Sequence, residues 1–109
     1  MLTDFDRRQL GRIQECLNEY DEGGIALSVL VSRLEGLLSA LQELNAPALE
    51  PVRRAWGVLD EILAVMLDEE RVQPDATDRE AIEASLGKIR RQLQMLGLGA
   101  PSDPPAAVG

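Results

Sequence analysis

Carboxylates are the side chains with which this 109-residue chain could do most of its chemistry. Nineteen Asp and Glu outnumber eleven Lys and Arg, there is no histidine, and the formal net charge is −8. The acids are concentrated between Asp60 and Glu80, where the sequence has eight carboxylates and only two arginines. Carboxylates at this density can bind metal ions, transfer protons or contact a basic partner, and their spacing decides among these.

The spacing favours neither a metal site nor an acid–base pair. An EF-hand loop needs oxygen ligands at fixed intervals around a glycine, and neither Asp75 nor Asp78 begins such a loop. A di-iron bundle needs Glu-x-x-His motifs, which a chain without histidine does not have. Nothing in the sequence places two carboxylates in an apolar cleft, where a general acid would be tuned. We therefore expect no metal, no cofactor and no enzymatic activity.

Cys16 is the only thiol of the chain. One cysteine forms no internal disulfide and no CxxC site, and without histidine it has no Cys-His pairing. It lies among apolar residues of a helical segment, which favours a small core residue over a reactive thiol. A free cysteine is typical of a reducing compartment, so we expect a cytoplasmic protein. The excess of Arg over Lys is typical of a GC-rich bacterial genome.

The acidic balance argues against two classes of partner. Nucleic acid and anionic membranes both need a basic surface, which a chain of charge −8 does not offer overall. The longest nearly apolar run, residues 25–31, is also far shorter than the roughly 20 residues that span a bilayer. A net charge of this sign accelerates the encounter with a basic protein, which is therefore the expected partner. The alternative is that the acidic surface only keeps the chain soluble.

Apolar residues recur at helical spacing in four segments, which predicts an all-α chain. The first segment covers residues 3–20, with Thr3 as its N-cap and Asp6 three residues later. The second covers residues 27–44 and ends at the sequence Asn45-Ala-Pro47. It repeats leucine at heptad spacing, at Leu27, Leu30, Leu34, Leu37, Leu41 and Leu44.

The third segment, residues 49–70, is apolar around more than half of its circumference. Such a helix is expected to be buried on most sides, with Trp56 as its largest core residue. The fourth segment begins at the capping-box sequence Thr77-Asp-Arg-Glu80, with Thr77 as the N-cap, and ends at Gly97.

These segments predict one domain over residues 1–98, an antiparallel up-down four-helix bundle. A three-helix core with a peripheral N-terminal helix is the alternative, because the first stripe has the fewest large aliphatic residues. Residues 99–109 are rich in Pro and Ala and are expected to form a disordered tail. The leucine heptad could instead form a homodimer seam, which would make the chain a self-associating adaptor or structural protein.

Two stretches resemble a family of small acidic helical bacterial proteins. The first is the leucine-rich residues 25–41, and the second is residues 56–68, with Trp56, the triplet Leu59-Asp60-Glu61 and the sequence Ala64-Val-Met-Leu-Asp68. The family resembles the immunity proteins of polymorphic and contact-dependent toxin systems. The match covers less than half of the chain, and it departs from the family pattern at Asp60, usually Glu, and at Leu63, usually aromatic.

The resemblance implies a non-catalytic protein that binds and neutralises a cognate toxin. Many such toxins act on nucleic acids and are basic, so an acidic surface suits the role. The expected partner is therefore a basic toxin domain, steered electrostatically and held by a few buried anchors. The expected contacts form two acidic patches, Asp60, Glu61, Asp68, Glu69 and Glu70 in the first, and Glu19, Asp21 and Glu22 in the second.

Overall fold

A computed structural model describes residues 3–41 and 47–97, and within these ranges every regular element is helical. The elements are α1 (Asp4–Asp21), α2 (Leu27–Ser39), a 3-10 turn (Pro47–Leu49), α3 (Glu50–Asp68) and α4 (Ala76–Met95). Each helix packs against the next one, and α4 returns to α1, so the four helices close into a ring. The structure thus confirms an all-α four-helix bundle.

The up-down order brings the ends of all four helices together in two sets. At one end α1 and α3 finish while α2 and α4 begin, and we call this end, residues 19–28 and 67–80, the loop end. At the opposite end, which we call the base, α1 and α3 begin and α4 finishes. Residues far apart in the sequence therefore become neighbours at the loop end.

The four apolar stripes form one aliphatic core. Its fully buried side chains include Leu10, Ile13 and Leu17 of α1, Leu30 of α2, Val52 and Leu59 of α3, and Ile82, Leu86, Ile89 and Leu93 of α4. Burying one such side chain stabilises a fold by about 1.5–3 kcal/mol. Because α1 contributes three of them, the N-terminal helix is part of the core, and the three-helix alternative is wrong.

The leucine heptad of α2 faces the interior of its own chain. Leu27, Leu30, Leu34 and Leu41 are buried, Leu37 is half-buried against the core, and Leu44 lies outside the described residues. The regular helix ends at Ser39 instead of Leu44, where the N–H of Ala40 donates to the carbonyl oxygen of Gly36 at 3.2 Å. The predicted stop at residues 45–46 also falls outside the described residues.

The prediction that α3 is buried on most sides is wrong. In a closed ring of four helices each helix keeps one outward face, so Val58, Val65 and Leu67 are exposed. Trp56 is half-buried at the boundary with α2, and its indole N–H donates to the carbonyl oxygen of Val31 at 3.1 Å. The indole ring of Trp56 spans the contact between α2 and α3, and its N–H keeps a hydrogen-bond partner. This is usual for an aromatic side chain with a polar group at the edge of a core.

The N-cap of helix α4 lies two residues before the predicted one, Thr77. The N-cap is Asp75, whose carboxylate accepts from the backbone N–H of Asp78 at 2.8 Å, while the Asp78 carboxylate accepts from the N–H of Asp75 at 3.2 Å. Aspartate caps a helix as well as threonine does, and here both members of the box are aspartates. Thr77 is exposed in the first turn and does not cap the helix.

Other predicted helix ends agree with the structure. The hydroxyl of Thr3 accepts from the N–H of Asp6 at 3.0 Å and caps α1. After α4, Gly97 takes a left-handed backbone with φ of 80°, which glycine adopts without steric cost. The tail predicted over residues 99–109 lies outside the described residues.

A matched pair of leucines tests the position of the core. Leu86→Ala removes a fully buried side chain, and we expect the free energy of unfolding to fall by about 2–5 kcal/mol. Leu67→Ala makes the same chemical change at an exposed position and should alter the free energy of unfolding by about 0.5 kcal/mol or less. Urea unfolding followed by circular dichroism measures both, and equal losses would contradict the assignment of the core.

Candidate protein-binding groove

The two acidic patches of the sequence meet at the loop end. Asp21, from the end of α1, and Glu70, just after α3, line the same groove, which has a volume of about 930 Å³. The connection that follows Glu22 forms one side, and the connection from Arg71 to Pro74 forms the other. The bundle topology therefore joins acids that the sequence places in separate segments.

The groove combines an apolar floor with an exposed apolar rim. Leu63, Met66 and Ile82 line its interior, and the latter two are buried in the core. At the rim the side chains of Leu67 and Val72 are 65% and 86% exposed. Large apolar side chains this open to water are the kind that become buried when a partner binds. The groove therefore offers apolar contacts inside an acidic surround.

Glu70 occupies a backbone position that normally belongs to glycine. Its φ is 58°, in the left-handed region, where the turn after α3 needs a residue of that conformation. The N–H of Arg71 donates to the Met66 carbonyl oxygen at 2.7 Å, and the N–H of Glu70 to that of Leu67 at 3.1 Å. A side chain in this conformation costs about 1–2 kcal/mol. The chain thus keeps a carboxylate on the groove at a cost in stability.

Arg71 ties the second wall of the groove to the start of α4. Its guanidinium contacts Asp78, contacts Glu69 at 2.7 Å and lies 3.5 Å from Asp75. Hydrogen bonds to Asp78 and Glu69 raise the pKa of Arg71 above its ordinary value. The hydrogen bond from Arg71, joined by one from the backbone of Asp75, lowers the pKa of Asp78. This cluster holds the connection between α3 and α4 in one conformation.

Tyr20 places a phenol on the opposite wall of the groove. Burial raises the pKa of this phenol, and the nearby carboxylates of Glu83 and Asp21 raise it further, while Arg79 acts in the other direction. The group therefore stays protonated at neutral pH and can donate a hydrogen bond to a ligand in the groove. Glu83 and Arg79 also line the groove.

All eight carboxylates of the predicted patches are exposed, but they do not form one site. Three of them are held in ion pairs by arginines: Glu19 by Arg33 at 3.0 Å, Asp21 by Arg90 at 2.6 Å, and Glu69 by Arg71. Only Asp21 and Glu70 line the groove itself. Glu22, Asp68 and Glu69 lie beside it at the loop end, whereas Asp60 and Glu61 lie two turns back along α3.

Sequence reasoning missed four residues of the groove, namely Tyr20, Leu67, Val72 and Glu83. Tyr20 continues the apolar stripe of α1 into its last turn and is half-buried at the edge of the core. Leu67, at the end of α3, and Val72, in the connection that follows, depart from the apolar periodicity of the helix. This departure was the sequence signal that could have identified both residues. Glu83 gave no local signal, because only the packing of α4 against α1 brings it to the groove.

Cys16 and the metal-ligating side chains are the remaining chemical candidates of the described ranges. Cys16 is buried, and burial raises the pKa of its thiol although Arg33 acts in the opposite direction. A raised pKa keeps the thiol protonated and poorly nucleophilic. Across residues 3–41 and 47–97, no group of three or more metal-ligating side chains is positioned to hold an ion. Over the same residues, every helix is too short or too polar to cross a membrane.

Comparison of the chain with protein-family models, with curated proteins and with solved structures finds no match.

Replacing Glu70 by glycine tests the backbone strain. Glycine takes the left-handed conformation without strain, which stabilises the folded state, but it also makes the unfolded chain more flexible, which offsets part of the gain. We therefore expect Glu70→Gly to raise the free energy of unfolding by about 1 kcal/mol. Glu69→Gly is the control, because Glu69 lies one residue earlier and has a φ of −90°. This substitution should lower the free energy of unfolding. Urea unfolding measures both, and a loss of stability in Glu70→Gly would contradict the strain.

The ion pair between Arg71 and Asp78 predicts a dependence of stability on pH. Because the pKa of Asp78 is lower in the folded state than its ordinary 3.8, the pair stabilises the fold above that value. This contribution is lost as pH falls through the folded pKa. We therefore expect Asp78→Asn to have a lower Tm than the parent chain at pH 7 and a smaller deficit at about pH 2. An unchanged difference at both pH values would contradict the role of this pair.

Proposed function

We propose that this chain is a non-catalytic protein-binding module that takes a basic segment of a partner protein at its loop end. The observation that supports the proposal most is the meeting of two separate acidic segments around one groove with an apolar floor. The carboxylates would steer and orient the partner, and the apolar rim would bury its anchoring side chains.

The charges of the loop end support a basic partner. Its carboxylates outnumber its basic residues, Arg71 and Arg79, several-fold. Arg71 is already surrounded by three carboxylates, so it contributes little free positive charge. Glu70 and Glu83 line the groove, and within the described ranges neither is in an ion pair. Two carboxylates are thus available to bind Lys or Arg side chains of a partner.

The apolar part of the groove supports a partner that also carries an apolar anchor. Leu67 and Val72 are exposed on the side of the groove that belongs to α3 and its connection to α4. An apolar side chain entering between them would reach Leu63 and Met66 without displacing a charge. Binding energy at protein interfaces is concentrated in such anchors, while surrounding charges set the rate and specificity.

Among protein-binding modules, we propose an immunity protein that occupies the functional surface of a basic toxin in a bacterial cytoplasm. This assignment follows from the resemblance of residues 25–41 and 56–68 and from the acidic loop end. Asp21, Glu22, Glu69 and Glu70 are the proposed contacts nearest the groove. Asp68 also lies beside the groove, whereas Glu19, Asp60 and Glu61 stand further from it and would meet only a partner that covers more of the bundle.

Self-association through the leucine heptad was the alternative function. The described heptad leucines pack inside the chain's own core or against it, so no seam of α2 leucines faces solvent. A dimer that used them would need the bundle to open. The heptad therefore gives no support to an adaptor or structural role.

Co-expression with the product of the adjacent gene tests the proposal. We expect a complex with one copy of each chain that weakens steeply between low and high salt, because exposed charges are screened. The double reversal Glu22→Lys with Glu70→Lys should weaken this complex at least tenfold, since it places positive charge at the groove. Isothermal titration calorimetry at two salt concentrations measures the affinity.

Glu15→Lys with Glu35→Lys is the matched control. It makes the same change in net charge at exposed positions that do not line the groove. We expect the control to retain most of the affinity, and both double variants to keep the thermal stability of the parent chain to within a few degrees. Equal weakening by the two pairs would mean that only net charge matters, and the absence of any complex at low salt would overturn the proposed function.

A further inference from the structure

The outward face of α3 and α4 has apolar side chains at its centre and opposite charges at its two ends. We propose that this face binds a second copy of the chain in an antiparallel dimer with twofold symmetry. The proposal concerns a different surface from the loop-end groove and does not depend on the proposed function.

Helical spacing fixes which residues of α3 share this face. Arg54, Glu61 and Asp68 are seven residues apart and form one line along the helix, with Arg54 near the base and Asp68 at the loop end. Val58 and Val65 form the adjacent line, and their side chains are 39% and 49% exposed. The outward side of α3 therefore begins with the positive Arg54 and continues through Val58 to the negative Glu61 and Asp68, with Val65 between these two acids.

Helix α4 repeats the same order beside it. Lys88 and Arg91 lie toward the base, Glu80 lies in the first turns at the loop end, and exposed Ala84 lies between them. The two helices share a shallow groove of about 510 Å³ near the base. Arg54 and Val58 of α3 line it together with Lys88, Arg91 and Met95 of α4, which places these charges on one surface. The Met95 side chain is 78% exposed.

The positive charge near the base is available to a partner. Within the described part of the chain, Lys88 and Arg91 are in no ion pair. Glu50 also lines this groove, but it is held by Arg53 at 2.7 Å and by Arg54 at 2.8 Å. Hydrogen bonding from Arg54 and the charge of Arg53 lower the pKa of Glu50, so this carboxylate stays paired. An acidic group of a partner would thus meet a net positive surface.

The order of charges makes the face complementary to itself in one arrangement. A twofold axis that lies in the plane of the face, perpendicular to the helices, lays the base of one copy on the loop-end side of the other. The basic end of each copy, formed by Arg54, Lys88 and Arg91, then opposes the acidic end of the other copy. This contact occurs twice in the dimer, and the valines lie between the two contacts. A parallel arrangement would oppose like charges, which costs several kcal/mol in protein interfaces. The antiparallel dimer is also closed, so it does not lead to filaments.

The dimer leaves the loop-end groove open. The groove is lined by the start of α2, by the end of α1 and by other sides of α3 and α4, and none of the charged residues or valines named for the dimer face lines it. In the antiparallel arrangement the two loop-end grooves lie at opposite ends of the dimer. Partner binding and self-association can therefore succeed or fail independently.

Sedimentation equilibrium of the chain at low salt, ~50 mM, tests the dimer, because exposed charges act over longer distances there. We expect a reversible monomer–dimer equilibrium whose dissociation constant rises at high salt. Lys88→Glu with Arg91→Glu makes both ends of the face acidic, and we expect the dissociation constant to rise at least tenfold. Arg8→Glu with Arg12→Glu makes the same charge change on α1, outside the face, and should leave it within about twofold.

A charge exchange tests whether the charges of this face hold the dimer together. Glu61→Lys with Asp68→Lys and Glu80→Lys makes both ends of the face basic, so this variant should also be monomeric. Mixing it with the Lys88→Glu, Arg91→Glu variant should give a heterodimer, because each end then meets its opposite. Both variants keep a negative net charge, so overall attraction cannot explain such a complex.

Circular dichroism melting checks that each variant is folded before its association is measured. A chain that stays monomeric at low salt and high concentration would overturn the proposal. So would a dimer that neither reversal weakens, or two monomeric variants that do not combine when mixed. A restored heterodimer is the result that the antiparallel arrangement requires.

Discussion

The burial of four aliphatic stripes against one another is the constraint on which the rest of this structure depends. Each helix hides its stripe only by packing beside both neighbours, and short connections make those neighbours antiparallel. This arrangement collects four helix ends at the loop end, and with them Asp21 and Glu70 from distant segments. The groove is therefore a consequence of the core, although none of its charged residues belongs to that core.

The loop end combines a fixed wall with a strained residue. Arg71 joins Glu69 and Asp78 across the connection to α4, which keeps the backbone around Glu70 in place. Glu70 retains a carboxylate in a left-handed conformation that glycine would adopt at lower cost. Strain of this kind is found where a side chain is needed for binding. The same reasoning links Leu67 and Val72 to a partner, because both side chains are largely exposed beside the groove.

The sequence was sufficient to predict what depends on local pattern. Helix number, the Thr3 cap, the stop at Gly97 and most core positions follow from periodicity and capping chemistry. The errors arose where two signals competed or where tertiary packing decides. Asp75 and Thr77 both begin plausible caps, and the ion pairs of Arg71 favour the first. The exposure of Val58 and Val65, and the meeting of Tyr20 with Glu83, depend on which helices become neighbours.

Hydrogen–deuterium exchange of the chain, alone and with the product of the adjacent gene, tests the central claim most directly. The account predicts slower exchange at the loop end, in residues 19–28 and 67–80, when the partner is present. Backbone amides on the α1–α2 side of the base should exchange unchanged. Slower exchange confined to the base, with the loop end unaffected, would contradict the assignment of the groove as the binding surface.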